Sequence, residues 1–257
     1  MLTAVIRAVG RRAVAAIETV GRFGHFLQDF ARAVADVGTW GRLTVVQMRR
    51  VGVDSLPVAL FIAAFTGVVL ALQASYTFKG TVPLYFVGTL VGKSMMLELG
   101  PVLVGLALAG RVGASMAAEL GTMKVTEQVD ALETLAYDPQ SYLVVPRIVA
   151  ATVMFPLIVG CAISLGLATG WLTSLALLKL STVDFIKGLR LFYVFKDTWY
   201  GLFKSASFGC TIALVGCGVG LGTRGGAEGV GRSTTQAVVY SAVLILVLDA
   251  FWAVVLL

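Results

Sequence analysis

The sequence predicts an all-α membrane protein. It consists of an amphipathic N-terminal interfacial helix, five transmembrane helices, and a short cytoplasmic helix between the second and third of these. Of its 257 residues, 58% are hydrophobic and 13% are charged, whereas soluble domains carry roughly 25% charged residues. Because a soluble fold cannot cover this much apolar surface, the bilayer must solvate most of it. The chain shows no linker or repeat, so residues 1–257 are interpreted as one domain, with an interfacial region at 1–50 and a five-span region at 54–257.

The N-terminal region is basic and amphipathic. A helix with this much charge is too polar to span and is expected to lie in the membrane interface, although packing on a soluble partner is an alternative. Basic residues ahead of the first span favour a cytoplasmic N-terminus, so the charge is interpreted as a membrane feature and no nucleic-acid partner is predicted. The apolar positions recur at steps of three and four, at Leu2, Ile6, Val9, Ala13, Ile17 and Val20.

Four of the five predicted spans are long runs with little or no charge. About 20 apolar residues suffice to cross the hydrocarbon core. Residues 179–204, which hold five Lys or Arg residues, are predicted to form an outer segment, and residues 223–231 a glycine-rich turn. The last run contains a single acid, Asp249, which either caps a polar network or reaches the interface. The four runs are 54–79, 148–178, 205–222 and 233–257.

The second span differs because it carries two charges. It begins near Leu84 and runs toward Arg111, with Lys93 and Glu98 inside it. A charge at the bilayer centre costs about 2.5–3.5 kcal/mol on insertion scales, so each of these residues needs a partner in protein, water or headgroups. Pro101 lacks a backbone N–H and is expected to bend or loosen the helix at this point.

Residues 111–147 form the most polar internal segment. Gly121 is expected to break the preceding helix, and Pro139 is expected to end the short one that follows. That short amphipathic helix is predicted to lie on the cytoplasmic side. A solvated connector is the alternative interpretation. Its predicted apolar face consists of Val125, Val129, Leu132 and Ala136, and its polar face includes Glu127, Gln128, Asp130 and Glu133.

No residue pattern in the chain predicts catalysis. Its one histidine, His25, lies in the basic N-terminal region, and zinc-peptidase, haem or Ser-His protease chemistry needs a histidine at membrane depth or a pair of them. Phosphate-binding loops and paired acid clusters are also missing from the sequence. We therefore predict no catalytic residue, no metal site and no cofactor in this chain.

The segment 98–133 contains ELGPV at 98–102, AGRVGAS at 109–115 and AELGTMKVTEQVDALE at 118–133. With the closing segment GVGRSTTQAVV at 229–239, it closely resembles the MlaE/YrbE family of ABC permeases, which work with MCE proteins in moving lipids between bacterial membranes. The resemblance extends over nearly the whole chain.

The resemblance implies a multi-pass permease of the bacterial inner membrane with a periplasmic C-terminus. It implies a permease homodimer, cytoplasmic ATPases that bind ATP and Mg²⁺, and a periplasmic hexamer of MCE domains. The cargo would be phospholipid, moved between the inner and outer membranes. The short polar helix matches the family's coupling helix, so the residues implied to contact the ATPase are Glu127, Gln128, Asp130 and Glu133.

A lipid cavity is implied near Glu98. Family members often have an arginine immediately before this glutamate, whereas this chain has Leu97. Lys93 lies one helical turn earlier on the face of Leu97 and is expected to supply the missing cation; snorkelling outward is its alternative role. The apolar wall is implied to come from Leu70, Gln73, Tyr76, Phe78 and Leu99, for which simple helix packing is the alternative.

Two other functions remain open on the sequence. One is a membrane scaffold that anchors an ATPase and an MCE protein without its own transport pathway. The other is a lipid-modifying membrane enzyme, which requires a cluster of acids or histidines facing a cavity, and the sequence offers no such cluster.

Overall fold

The computed structural model describes residues 21, 23–78 and 82–256, and each regular element in these ranges is a helix. The predicted amphipathic stripe from Leu2 to Val20 lies outside the described residues. The helices are α1 (23–33), α2 (Val37–Val51), α3 (Leu56–Phe78), α4 (Phe86–Ser94), α5 (Gly100–Leu108), α6 (Ala114–Val125), α7 (Gln128–Thr134), α8 (Val145–Leu178), α9 (Thr182–Leu191), α10 (Phe195–Leu221) and α11 (Gly226–Leu256).

Five helices are long and apolar enough to cross a membrane, as predicted. They are α3, the continuous helix Phe86–Val125 that unites α4, α5 and α6, then α8, α10 and α11. Since each spanning helix reverses the direction of the one before, α7 and α9 lie at opposite ends of α8. The end that carries α7 is called the inner end below, and the end that carries α9 the outer end.

Glycines let the spanning helices approach closely. A Cβ atom on Gly67 of α3 would collide with the backbone of Gly166 on α8, and Thr169 Oγ1 donates to the carbonyl of Ala64 at 2.9 Å. On α10, a Cβ on Gly216 would lie 3.1 Å from the Gly113 carbonyl oxygen. The glycines at both contacts therefore form helix-packing surfaces, as small residues do between membrane helices.

The second span contains two π-helical turns, Met95–Leu99 and Ala109–Gly113. The first ends directly before Gly100 and Pro101, where the sequence predicted a loosened helix. A proline removes one hydrogen-bond donor from the helical ladder, and a wider turn accommodates that loss. Glu98 lies inside this π turn.

Two boundary predictions at the inner end are wrong. Gly121 does not break the helix, because α6 continues through it to Val125. The short helix α7 spans Gln128–Thr134 and ends before Ala136, whose φ of 60° is left-handed. Ala136 therefore does not belong to the helical face on which it was placed.

The predicted outer segment 179–204 is also wrong in its second half. Its first half contains the helix α9, packed on α4, where Thr89 Oγ1 donates to the Gly188 carbonyl at 2.5 Å. The fourth span begins at Phe195, ten residues before the predicted start, so Lys204 lies inside a spanning helix. The fifth span likewise begins at Gly226 and not at Ser233, which shortens the predicted glycine turn.

Candidate functional site

A buried charge cluster joins three spanning helices near the outer end. Lys204 of α10 is fully buried, and its ammonium group lies 2.7 Å from Glu98 Oε2. The same ammonium pairs with Asp249 of α11 and donates to the Leu97 carbonyl at 3.2 Å. Since one cation meets two carboxylates, the cluster carries a formal charge of −1.

A second ion pair lies next to this cluster. Lys93 Nζ donates to Asp197 Oδ2 at 2.7 Å, with 37% of the lysine side chain and 17% of the aspartate side chain exposed. Asp197 and Lys204 are seven residues apart on α10, so both face the same helix. Lys93 and Glu98 are five residues apart, and the π turn between them directs both toward that face. Lys93 and Glu98 therefore both find a partner on α10.

The two ion pairs border an outer cavity of about 260 Å³. Its wall combines charged groups with the phenol ring of Tyr200 and the aliphatic side chain of Leu97. The ring of Tyr200 lies 5.4 Å from Lys204 Nζ, within range of a cation–π interaction. The lining residues are Lys93, Leu97, Glu98, Val194, Lys196, Asp197 and Tyr200.

The cluster around Lys204 places charged groups inside the helix bundle, where protein groups must replace the water that would otherwise solvate them. Burying an ion costs several kcal/mol even after relaxation, and a close opposite charge with further hydrogen bonds offsets that cost. Lys204 has both, whereas Glu98 keeps 43% of its side chain exposed to the cavity region. The cluster can therefore hold a polar or charged group that enters from the outer cavity, because Glu98 remains accessible.

A second ionic network lies at the inner end. Glu119 of α6 accepts Arg147 of α8 at 3.0 Å and Arg50 of α2 at 3.1 Å. Arg147 is only 3% exposed and also donates to the Leu143 carbonyl at 2.6 Å. One carboxylate thus ties α2 to two of the spanning helices.

The helix α7 and Glu127, the residue directly before it, present polar side chains to solvent at the same end. Glu127, Gln128, Asp130 and Glu133 are all exposed. Asp130 accepts Lys124 at 2.6 Å, which neutralises one acid locally. Val129 is 4% exposed and anchors α7 to the bundle.

The apolar residues predicted for the cavity wall do not line the outer cavity of the single chain. Leu70 is buried in the core, while Phe78 and Leu99 pack against the core. Gln73 is exposed, and Tyr76 is 78% exposed, on the surface of α3. Their contact with lipid therefore stays a prediction.

Lys204, Asp197 and Arg147 were missed as site residues. Lys204 and Asp197 were assigned to the outer segment because charges are dense between residues 179 and 204. A usable signal was present: Glu98 and Asp249 are acids in apolar spans, and each requires a cation at a similar depth. Lys204, directly before an apolar run, is positioned to supply it.

Comparison with known proteins agrees with this architecture. Residues 44–255 match the family model described as Permease MlaE. A probable ABC transporter permease protein of Synechocystis is 40% identical over 242 residues, covering 94% of this chain and 89% of the relative. Another, from Rickettsia felis, is 39% identical over 247 residues, covering 96% and 95%.

A plant protein is related as well. The chloroplastic protein TRIGALACTOSYLDIACYLGLYCEROL 1 of Arabidopsis thaliana is 36% identical over 208 residues, which are 81% of this chain and 59% of that protein. An ABC permease works with a separate ATPase, and the inner end of this bundle carries an exposed polar helix between two spans. The chain therefore belongs to the MlaE family, as a multi-pass membrane permease of an ABC transporter.

Proposed function

We propose that this chain provides the membrane pathway by which an ABC transporter moves phospholipid between the inner and outer membranes. In this proposal the chain acts as a homodimer in the bacterial inner membrane and performs no chemistry itself. A cytoplasmic ATPase that binds ATP and Mg²⁺ supplies the energy. A periplasmic hexamer of MCE domains continues the path, and the transporter maintains lipid asymmetry.

The observation that carries this proposal is the outer cavity beside the buried charge cluster. A phospholipid combines a charged headgroup with apolar chains. The cavity offers an accessible carboxylate at Glu98 and an ammonium at Lys93, and apolar membrane-spanning helices surround it. At membrane depth, a site of this kind suits a headgroup better than the hydrocarbon core does, because fixed charges replace the water that the headgroup loses.

The plant relative supports a lipid substrate. Its name contains that of a galactolipid, trigalactosyldiacylglycerol, and it shares 36% of its residues with this chain over the aligned region. A diacylglycerol lipid and a phospholipid have the same two-chain apolar body and differ in the headgroup. The proposal therefore assigns the apolar body to the helices and the headgroup to the charged lining.

The helix α7 at the inner end of the bundle supports the proposed ATPase partner. The helix α7 lies between two spans and is anchored by Val129, while Glu127 and Glu133 extend into solvent. A short helix held at both ends transmits a push from a docked ATPase to α6 and α8. We assign the ATPase contacts to Glu127, Gln128, Asp130 and Glu133.

Lipid retained by the assembled transporter tests the proposal. The chain is purified with its ATPase and MCE partners, and retained phospholipid is quantified by mass spectrometry beside ATP turnover. Glu98→Gln keeps the side-chain volume and removes the charge, so retained phospholipid should fall severalfold while the ATPase stays bound. Glu228→Gln, which removes an acid at the inner end that is 92% exposed, should change neither readout.

Two results would contradict the proposal. Phospholipid retention that is the same in Glu98→Gln and the unaltered chain removes the outer cavity from the pathway. An assembled transporter that retains the ATPase and MCE protein but no phospholipid favours the scaffold function.

A further inference from the structure

A cavity near the inner end has no role in the pathway described above. This inner cavity has a volume of about 840 Å³ and lies between α2, the turn that leads into α3, and α6. Ser55, the last residue before α3, lines it, as does Gln128 of α7. The apolar helix α3 begins at Leu56. The inner cavity is therefore level with the lipid headgroups of the inner-end leaflet.

Two hydrogen-bond donors of this cavity, on Ser55 and Arg111, stand out. Ser55 is fully buried, and its hydroxyl has no hydrogen-bond partner in the part of the chain that the structure describes. Arg111 is exposed and lines the cavity, and none of the acids in the described residues lies within ion-pair distance of its guanidinium group. A buried hydroxyl without a partner costs free energy, and a ligand that supplies an acceptor removes that cost.

Two acids line the cavity, Asp54 and Glu119, and among the described residues neither forms an ion pair with Arg111. Glu119 is already held by Arg50 and Arg147 at 3.1 and 3.0 Å. Asp54 also lines the cavity and forms no ion pair among the described residues. Within residues 21, 23–78 and 82–256, the site thus offers one unpaired guanidinium and one unpaired carboxylate, which is the charge pattern that complements a zwitterion.

The surface of α3 continues from this cavity into the membrane. Asp54 precedes Val58 by four residues, and a row of exposed apolar side chains follows at helical spacing. These residues are Val58, Phe61, Phe65, Val69 and Leu72, each at least 40% exposed. Acyl chains that extend from a headgroup at Asp54 and Arg111 meet this row.

We propose that the inner cavity binds the headgroup of a zwitterionic phospholipid from the inner-end leaflet. The phosphate accepts hydrogen bonds from Arg111 and Ser55, since the planar guanidinium matches phosphate oxygens. The ammonium group lies against Asp54. A volume of 840 Å³ exceeds what a single phosphate ion fills, and the apolar row on α3 accounts for the remainder of the lipid.

Thermal unfolding of the purified, delipidated chain in detergent tests this site. The probe is dihexanoylphosphatidylethanolamine. Phosphoethanolamine and inorganic phosphate supply the headgroup without acyl chains, and dihexanoylglycerol supplies the chains without a phosphate. At roughly ten times its Kd, the full lipid should raise Tm by about 3–6 °C, and none of the three partial probes should match that shift.

Matched variants locate the site. Arg111→Gln should weaken apparent affinity for the lipid about tenfold or more, and Arg111→Lys should give an intermediate loss because the charge remains. Arg49→Gln removes a neighbouring exposed arginine that does not line the cavity, so it should bind like the unaltered chain. The Tm of each variant without lipid reports that its fold is intact.

Three outcomes would overturn the assignment. Equal shifts with phosphoethanolamine or inorganic phosphate mean that the site takes a soluble phosphate compound and not a lipid. Loss of the shift in Glu98→Gln but not in Arg111→Gln places the lipid in the outer cavity. Unchanged affinity in Arg111→Gln removes the inner cavity from lipid binding, and none of these results bears on transport through the outer cavity.

Discussion

Lys204 and Glu98 form an ion pair of 2.7 Å between α10 and the second spanning helix, and no part of the lysine side chain reaches solvent. Since Asp249 shares the same ammonium, one buried cation holds three spanning helices together. Removing it leaves two carboxylates facing each other in an apolar bundle, which is a severe penalty.

Lys204→Met is therefore predicted to destabilise the chain by about 3–5 kcal/mol, the usual effect of removing one partner of a buried ion pair. Thermal unfolding in detergent measures this loss. Lys196→Met, the same change at an exposed position of the same helix, should shift Tm little. Adding Glu98→Gln and Asp249→Asn to Lys204→Met should recover part of the stability, and a triple variant no more stable than the single one would contradict the cluster.

Lys93→Leu should leave the fold intact but reduce retained phospholipid. The change removes the cation of the Lys93–Asp197 pair at the outer cavity and leaves a carboxylate that repels anionic headgroups. Adding Leu97→Arg returns a cation one turn away on the same cavity wall, so the double variant should restore most of the retention. Retention that is unchanged in Lys93→Leu would make the lysine a purely structural or interfacial residue.

Reversing the charge of Glu127 and Glu133 to lysine is predicted to abolish copurification of the ATPase, since both acids are exposed on or beside α7. Asp130 is left unchanged in this variant because it pairs with Lys124. Glu228→Lys serves as the control, as it reverses an exposed acid at the same end of the bundle but away from α7. Full copurification of the ATPase with the double variant would remove α7 as its docking element.

Cysteines at Glu133 and Lys187 should react with an impermeant maleimide from opposite sides of the membrane. The background lacks the native cysteines Cys161, Cys210 and Cys217. The prediction follows because α7 and α9 lie at opposite ends of the spanning helix α8. With the N-terminus in the cytoplasm, Lys187 should label in intact cells and Glu133 only after the membrane is opened. Labelling of both from one side contradicts the five-span order.

The sequence predicted the spans well because a membrane helix has a simple requirement, a long run without charge. It failed where charge lies inside a span. The dense charges between residues 179 and 204 predict an outer segment, although Asp197 and Lys204 belong to α10. Hydropathy weighs each residue alone, whereas the energy of a buried charge depends on a partner that is distant in the sequence.

The candidate site was predicted in part for the same reason. Glu98 and Lys93 were identified because each is an anomaly within its own helix. Their partners were not, since nothing within α10 or α11 alone specifies that Asp197 faces Lys93 or that Asp249 faces Lys204. Gly121 shows the converse error, since the sequence predicted a helix break where the helix continues. A glycine is needed at this position because the side chain of Thr223 occupies the space beside it.

The π turn at Met95–Leu99 sets the phase of the whole second spanning helix. A π turn accommodates one residue more than an α turn, and one residue corresponds to about 100° of rotation. Because the turn takes up that extra residue, Lys93 and Glu98 face α10 although they are five residues apart. A regular α-helix with the same five-residue spacing would place the two charges about 140° apart. Charge matching between these helices therefore depends on a counted length as well as on composition.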